Sequence, residues 1–89
     1  MNKIKRKELS KIEVRLSSIK DAIDDIKSDL EYVLTDEEDS LNNMENFSGT
    51  DRYAAMEDAV NNMSNAVSSL EDAIDNIDSA IEYVDNAQS

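Results

Sequence analysis

The spacing of apolar residues constrains this chain more than any other feature of its sequence. In the second half, the intervals between apolar side chains alternate between three and four residues without interruption. This 3.5-residue period is typical of a helix that packs in a left-handed coiled coil. The residues that keep it are Tyr53, Met56, Val60, Met63, Val67, Leu70, Ile74, Ile77, Ile81 and Val84.

The first half of the chain carries the same pattern. Residues 17–33 align with residues 68–84 at an offset of 51, with eleven identities in seventeen positions. Segment 35–40, TDEEDS, then interrupts the row, which resumes with the spacing of a stutter. We expect one helix over about residues 3–46 with a bend near 36–40, and a helix break at Thr35 is the alternative. The row consists of Leu9, Ile12, Leu16, Ile19, Ile23, Ile26, Leu30, Val33, Leu41 and Met44.

The only glycine lies near the midpoint, in the stretch Phe47-Ser48-Gly49-Thr50. Glycine tolerates the left-handed conformation that ends many helices, and Ser48 or Thr50 can accept hydrogen bonds from the first amides of the next helix. The sequence therefore predicts a turn at 47–50 and a second helix over about 51–86. The predicted fold is all-α: one domain, residues 1–89, forming an antiparallel, coiled-coil-like hairpin of two helices.

Folding the chain about residue 48 predicts which residues of the two helices meet. Ile19 should face Ile77, and Ile26 should face Leu70. The first fifteen residues carry six Lys/Arg and two Glu, and they should lie beside acidic residues near the end of the second helix. These are Asp75, Asp78, Glu82 and Asp85.

A second row, made of alanines, accompanies the seam of the second helix. With Val60 as heptad position a, every g position from residue 59 to 87 is Ala. A face widened from a and d to g is typical of helices in larger bundles, because one neighbour covers only a and d. We expect two hairpins to dimerise into a four-helix bundle. The predicted partner interface comprises Ala59, Val60, Ala66, Val67, Ala73, Ile74, Ala80 and Ile81.

Composition excludes most catalytic chemistry. The chain has no Cys and no His, so it lacks the thiolate and imidazole groups that serve most nucleophilic, acid–base and metal sites. Its many carboxylates are best explained as a solvated surface. We expect no enzyme activity, no cofactor and no bound metal.

Charge and hydropathy restrict the partners. Residues 28–89 hold sixteen acids and one base, Arg52, which disfavours nucleic-acid binding. No apolar run reaches the roughly 20 residues that span a bilayer, and no apolar h-region follows the basic start, so we expect neither membrane insertion nor a cleaved leader. Two copies of such an acidic chain repel each other, which slightly favours a less acidic sister chain and leaves a homodimer open. Tyr32 and Tyr83, at equivalent places in the two repeats and outside the seam, are candidate partner contacts.

The chain resembles the WXG superfamily, small helical-hairpin proteins of type VII secretion systems that carry a W-x-G tripeptide in the turn. Here the matching tripeptide is Phe47-Ser48-Gly49, with Tyr53 and Met56 following at apolar positions. Trp is absent, and the family's export motif after the second helix is not matched, because Ala87 is the fourth residue after Tyr83. Missing export signals are typical of a partner whose mate carries the signal.

The resemblance implies a function among the small α-helical proteins that accompany LXG toxins. Such a protein would be an adaptor, or targeting chaperone, that pairs with a sister hairpin and clamps the helical N-terminal domain of the effector. It would act in the bacterial cytoplasm and be exported, if at all, with its client. Two alternatives from other classes are an acidic inhibitor that imitates nucleic acid, as phages encode, and a structural coiled-coil module.

Overall fold

Two long helices form the protein. The computed structural model describes residues 1–89, apart from the side chain of Glu45. Helix α1 spans Lys3–Asn43, a 3₁₀ turn spans Glu45–Phe47, and helix α2 spans Asp51–Ala87. The helices pack antiparallel into a rod of 67 × 15 × 14 Å. The predicted all-α helical hairpin is therefore confirmed.

Local hydrogen bonds fix where the helices begin. Asn2 caps α1, because its Oδ1 accepts a hydrogen bond from the Lys5 amide at 2.8 Å. Thr50 caps α2: its Oγ1 accepts from the Tyr53 amide at 3.1 Å and donates to the Phe47 carbonyl at 2.9 Å. Gly49, which lies between Phe47 and Thr50, has φ +96°, a conformation that residues with a Cβ rarely adopt. The predicted roles of Thr50 and Gly49 in the reversal are confirmed.

The inner face of α1 differs from the predicted seam. Its half-buried residues alternate at spacings of four and three from Leu9 to Met44, through positions a and e of the heptad. Ile12, Ile19, Ile26 and Val33, at position d, are instead exposed. The half-buried row is Leu9, Glu13, Leu16, Lys20, Ile23, Lys27, Leu30, Leu34, Glu37, Leu41 and Met44.

This inner row passes through segment 35–40 without changing its period. Leu34, Glu37 and Leu41 continue the alternation, so no stutter exists on the face that packs against α2. Helix α1 is continuous across the segment. The alternative of a helix break near Thr35 is therefore wrong. The stutter came from treating position d as part of the seam.

The register is two residues away from the predicted one. The prediction sets Asn76 opposite Lys20, but Lys20 Nζ contacts Asp78 Oδ1 at 2.6 Å. Near the open end, Ser10 Oγ donates to Gln88 Oε1 at 2.6 Å. Residues 3–9 of α1 therefore extend about 10 Å past the last residues of α2. The sequence also predicted that the basic residues among the first fifteen pair with acids near the end of α2. Within the described part of the chain, no ion pair joins these fifteen residues to α2, so the predicted pairs are not formed.

The hairpin has a thin core. None of the side chains that the structure describes is fully buried. The chain exposes 6557 Å², whereas a compact monomer of 10.0 kDa exposes about 5,200 Å². One folded-back neighbour thus leaves an unusually large surface in water.

Candidate protein-binding surface

Interhelical ion pairs mark one flank of the hairpin. Lys20 Nζ lies 2.6 Å from Asp78 Oδ1, and Lys27 Nζ lies 3.5 Å from Glu71 Oε1. Lys27 is also 3.6 Å from Glu31 on its own helix. The four interhelical partners all occupy heptad position e, and in an antiparallel coiled coil e faces e across one flank of the seam. We call Lys20, Lys27, Glu71 and Asp78 the ion-pair flank.

Both lysines hold their protons more tightly than usual. A hydrogen bond to Asp78 and its negative charge raise the pKa of Lys20 above 10.5. For Lys27, desolvation lowers the pKa, but the charges of Glu31 and Glu71 outweigh it and the net pKa is raised. Their aliphatic stems fill seam positions on α1 while the ammonium groups reach the acids beside them. This explains how charged residues occupy a packing row.

The opposite flank is apolar. Because e and g lie on opposite sides of the seam, the g-position alanines of α2 fall on the side away from the ion pairs. Position d of α1 also turns to this side, since a and e face α2. Its side chains are 40% (Ile12), 50% (Ile19), 57% (Ile26) and 51% (Val33) exposed. We call these four residues, with Ala59, Ala66, Ala73 and Ala80, the apolar flank.

Helix α2 keeps its charges away from the apolar flank. All nine of its acids occupy positions b, e and f, which point toward the ion-pair flank or away from α1. From Tyr53 to Ala87, positions a, c, d and g carry no charged residue. The side of α2 that borders the apolar flank is therefore neutral along almost its whole length, although the chain has a net charge of -12.

The predicted interface on α2 lies on or beside this flank. Its residues are all half-buried, because α1 covers part of the same face. The predicted interface did not include the d row of α1, which is the more exposed part of the apolar flank. A signal was present: lysines seven residues apart at position e of α1 match acids seven apart at position e of α2. The half-buried set is Ala59, Val60, Ala66, Val67, Ala73, Ile74, Ala80 and Ile81.

Two tyrosines lie on the outer surface of the hairpin. Tyr32 is 78% exposed and Tyr83 is 75% exposed. Both occupy heptad position c, which on α2 lies next to the g-row alanines, so Tyr83 borders the apolar flank. On α1, whose a and e positions face α2, position c places Tyr32 on the side that points away from α2. Exposed aromatic residues at such positions are suited to contact a protein partner.

The turn forms the closed tip of the rod. Phe47 is 58% exposed, so it covers the end of the hairpin only in part. An open cavity of about 320 Å³ lies beside it, lined by Met44, Phe47, Thr50 and Arg52. Ser48 and Gly49, the other two residues of the predicted turn motif, lie in the reversal and do not line this cavity.

No helix of the described residues is both long and apolar enough to cross a membrane. The same residues hold no group of three or more Asp and Glu side chains arranged as metal ligands. In comparisons with protein-family models, curated proteins and solved structures, none matches this chain.

Proposed function

We propose that this protein is a non-enzymatic helical adaptor. It pairs with another helical hairpin through the apolar flank, and the pair binds the helical N-terminal domain of a type VII secretion effector. The observation that carries the proposal is the d row of α1, four large apolar side chains that stay 40–57% exposed over about 30 Å of helix. Large apolar side chains that recur in water along one face are typical of a surface that another protein covers.

The exposed area supports a protein partner. The hairpin exposes about 1,300 Å² more than a compact protein of its mass, and a standard interface buries about 800 Å² on each side. The apolar residues recur every seven positions, which suits another helix lying along the rod. Catalysis gains no support from the site, because the flank holds no titratable side chain except at its edges.

The link to secretion comes from the resemblance to the WXG superfamily. It is supported by the hairpin of two long helices and by the aromatic-x-Gly tripeptide at its tip. An effector domain made of long helices would offer apolar stripes of the same period as the flank. The protein would shield those stripes in the bacterial cytoplasm until the effector is exported.

A second candidate function uses the other side of the rod. The nine acids of α2 are concentrated at positions b, e and f, and such a surface fits an inhibitor that imitates nucleic acid. Binding by this face would weaken steeply with added salt. Binding through the apolar flank would change little, because apolar burial is not screened.

Co-expression with a candidate effector domain tests the proposal. We expect the double variant Ala66→Glu, Ala73→Glu to reduce recovery of the effector's helical domain at least tenfold, because two charges enter the flank. The control is Asn65→Glu with Ser79→Glu, which adds the same charge at exposed f positions of the same helix. Equal recovery with both double variants would contradict the adaptor function. Binding that persists in both double variants and weakens steeply with added salt would favour the acidic inhibitor.

A further inference from the structure

We infer that the end of α1 that extends past α2 binds an anionic lipid surface, with the rod standing end-on to that surface. The inference does not rest on the proposed function, because this segment lies outside the apolar flank. The carrying observation is that positive charge is concentrated at one end of an otherwise acidic rod. We call this segment the basic extension, and its residues are Lys3, Ile4, Lys5, Arg6 and Lys7.

The basic extension differs in charge from everything behind it. The net charge of -12 includes its four positive charges, so the rest of the chain carries -16. All five of its residues are exposed. Among the residues that the structure describes, no acid forms an ion pair with any of its four bases. A partner with negative charge can therefore reach all four bases at once.

The four bases surround the helix instead of forming one face. Successive residues of an α-helix lie about 100° apart around its axis. Lys3, Arg6 and Lys7 therefore share one side of the basic extension. Lys5 lies on the opposite side. A second polypeptide lies along one side of a helix and would leave part of this charge in water, whereas a layer of lipid headgroups surrounds a helix end that enters it.

The length of the basic extension fits such a layer. Its bases span about 6 Å along the helix axis, and the headgroup region of one leaflet is roughly 5–8 Å thick. Ile4 lies in the widest gap between the bases and is 75% exposed. In lipid, its side chain reaches the boundary of the acyl chains, where membrane-surface helices bury apolar residues. The phosphates of a nucleic acid offer this side chain no apolar counterpart, so Ile4 favours lipid as the partner.

The acids of the rod determine its orientation on the surface. Apart from Glu8, the acids nearest to the bases are Glu13 and Asp85, which begin about 9 Å farther along the axis. This distance exceeds the Debye length of about 8 Å at physiological salt. A rod lying flat would place its acids against the lipid phosphates over a length of 67 Å. Standing end-on keeps the repulsion small, and the contact stays within the headgroup layer without crossing the bilayer.

Sedimentation with lipid vesicles tests the contact. The probe is vesicles of phosphatidylglycerol and phosphatidylcholine in equal parts, compared with phosphatidylcholine alone. We expect binding to the anionic vesicles only, and its loss in high salt. Arg6→Gln with Lys7→Gln should weaken this binding about 30-fold, because each base near an anionic surface contributes a factor of roughly five.

A matched control removes the same charge from the body of the rod. Arg15→Gln with Arg52→Gln should change vesicle binding less than about twofold, since both residues lie more than a Debye length from the basic extension. Equal losses in the two double variants overturn the inference. Equal binding to anionic and neutral vesicles, or no binding to either, also overturns it.

The apolar side chain separates lipid from other polyanions. Ile4→Ala should weaken vesicle binding about fivefold or more, because it removes the side chain that reaches the acyl boundary. Val14→Ala, at an apolar site on the rod that is 66% exposed, should leave it unchanged. Ile4→Ala that binds vesicles as tightly as the unaltered protein overturns the inference. Tighter binding to a duplex oligonucleotide or to polyglutamate than to the anionic vesicles overturns it as well, in favour of a nucleic acid or an acidic protein.

A fluorophore on a single cysteine tests the orientation, because the chain has none of its own. Ser17→Cys and Ser48→Cys both provide exposed sites, and Ser48 lies in the turn at the far end of the rod. Energy transfer to acceptor-labelled lipid should be strong from residue 17 and nearly absent from residue 48. Equal transfer from the two sites would show a rod lying flat and overturn the end-on arrangement.

Recovery of the effector domain keeps this inference separate from the proposed function. Arg6→Gln with Lys7→Gln leaves the apolar flank intact, so it should recover the effector as the unaltered protein does. Vesicle binding as stated without effector binding leaves the inference intact and removes the function. Effector binding without vesicle binding removes the inference and leaves the function.

Discussion

Gly49 determines whether the chain can reverse where it does. Its φ of +96° lies in the region that residues with a Cβ rarely adopt, yet a Cβ built there would meet no atom within 4 Å. The cost of a side chain is therefore a backbone cost alone. We expect Gly49→Ala to lower the free energy of unfolding by about 1–2 kcal/mol, measured by urea denaturation. The neighbouring Ser48→Ala should change it by less than about 0.5 kcal/mol, because Ser48 has no positive φ. An equal loss in the two variants would contradict this role for Gly49.

Two isoleucines of α1 distinguish the observed seam from the predicted one. Ile23 is half-buried against α2, whereas Ile26 is 57% exposed. We expect Ile23→Ala to destabilise the single-chain hairpin by about 1–2 kcal/mol, less than a fully buried site, and Ile26→Ala by less than about 0.5 kcal/mol. The measurement is thermal unfolding at concentrations low enough to keep the chains apart. The seam predicted from sequence gives equal losses, so equal losses would contradict the a/e packing of α1.

At the scale of the helix pair, the lysines of the ion-pair flank make stability depend on alkaline pH. The pKa values of Lys20 and Lys27 are raised in the folded chain above 10.5, so folding favours their protonated forms. Their contribution is complete below pH 10.5 and is lost as the pH rises through the folded values. The double variant Lys20→Gln, Lys27→Gln should therefore have a lower Tm than the unaltered protein at pH 8. The difference between the two Tm values should disappear near pH 12, roughly the upper end of lysine titration.

The control for this pH profile keeps the same change of charge elsewhere. Lys3→Gln with Lys5→Gln alters the extension beyond α2, where the structure gives no interhelical ion pair among the described residues. Its Tm should follow the unaltered protein from pH 8 upward. A deficit that persists unchanged at high pH would show that the lysine stems, and not their charges, account for it.

Sequence reasoning found the elements of the fold but not the inner face of α1. The helices, the reversal at Gly49 and the Thr50 cap could be predicted because they depend on apolar periodicity and on residues that are close together in the sequence. The inner face was missed because Lys20 and Lys27 occupy it, and a hydrophobic pattern treats lysine as solvent-facing. Their stems pack while their charges pair with acids on the other helix, a long-range arrangement that only the register reveals. As a result, the sequence predicted only the part of the apolar flank that the alanines of α2 form, and not the part formed by the d row of α1.

The whole molecule is a rod with too little core for its length. Because none of its described side chains is fully buried, much of its stability should come from association, and binding stabilises a folded state by mass action. We expect Tm to rise with protein concentration. Ile26→Glu should abolish this dependence, because it places a charge in the middle of the apolar flank. The mass of that variant should stay at 10.0 kDa across the concentrations tested.

A matched control for this experiment is present on the same helix. Val14 is 66% exposed, but it occupies heptad position f, away from both the seam and the apolar flank. Val14→Glu adds the same charge at a similarly exposed apolar site, and it should leave the mass and the concentration dependence unchanged. If both variants dissociate, net charge limits association and the location of the patch is irrelevant. If neither variant dissociates, the d row of α1 is not the contact between chains. The extra exposed surface of the hairpin would then be covered through another face or remain in water.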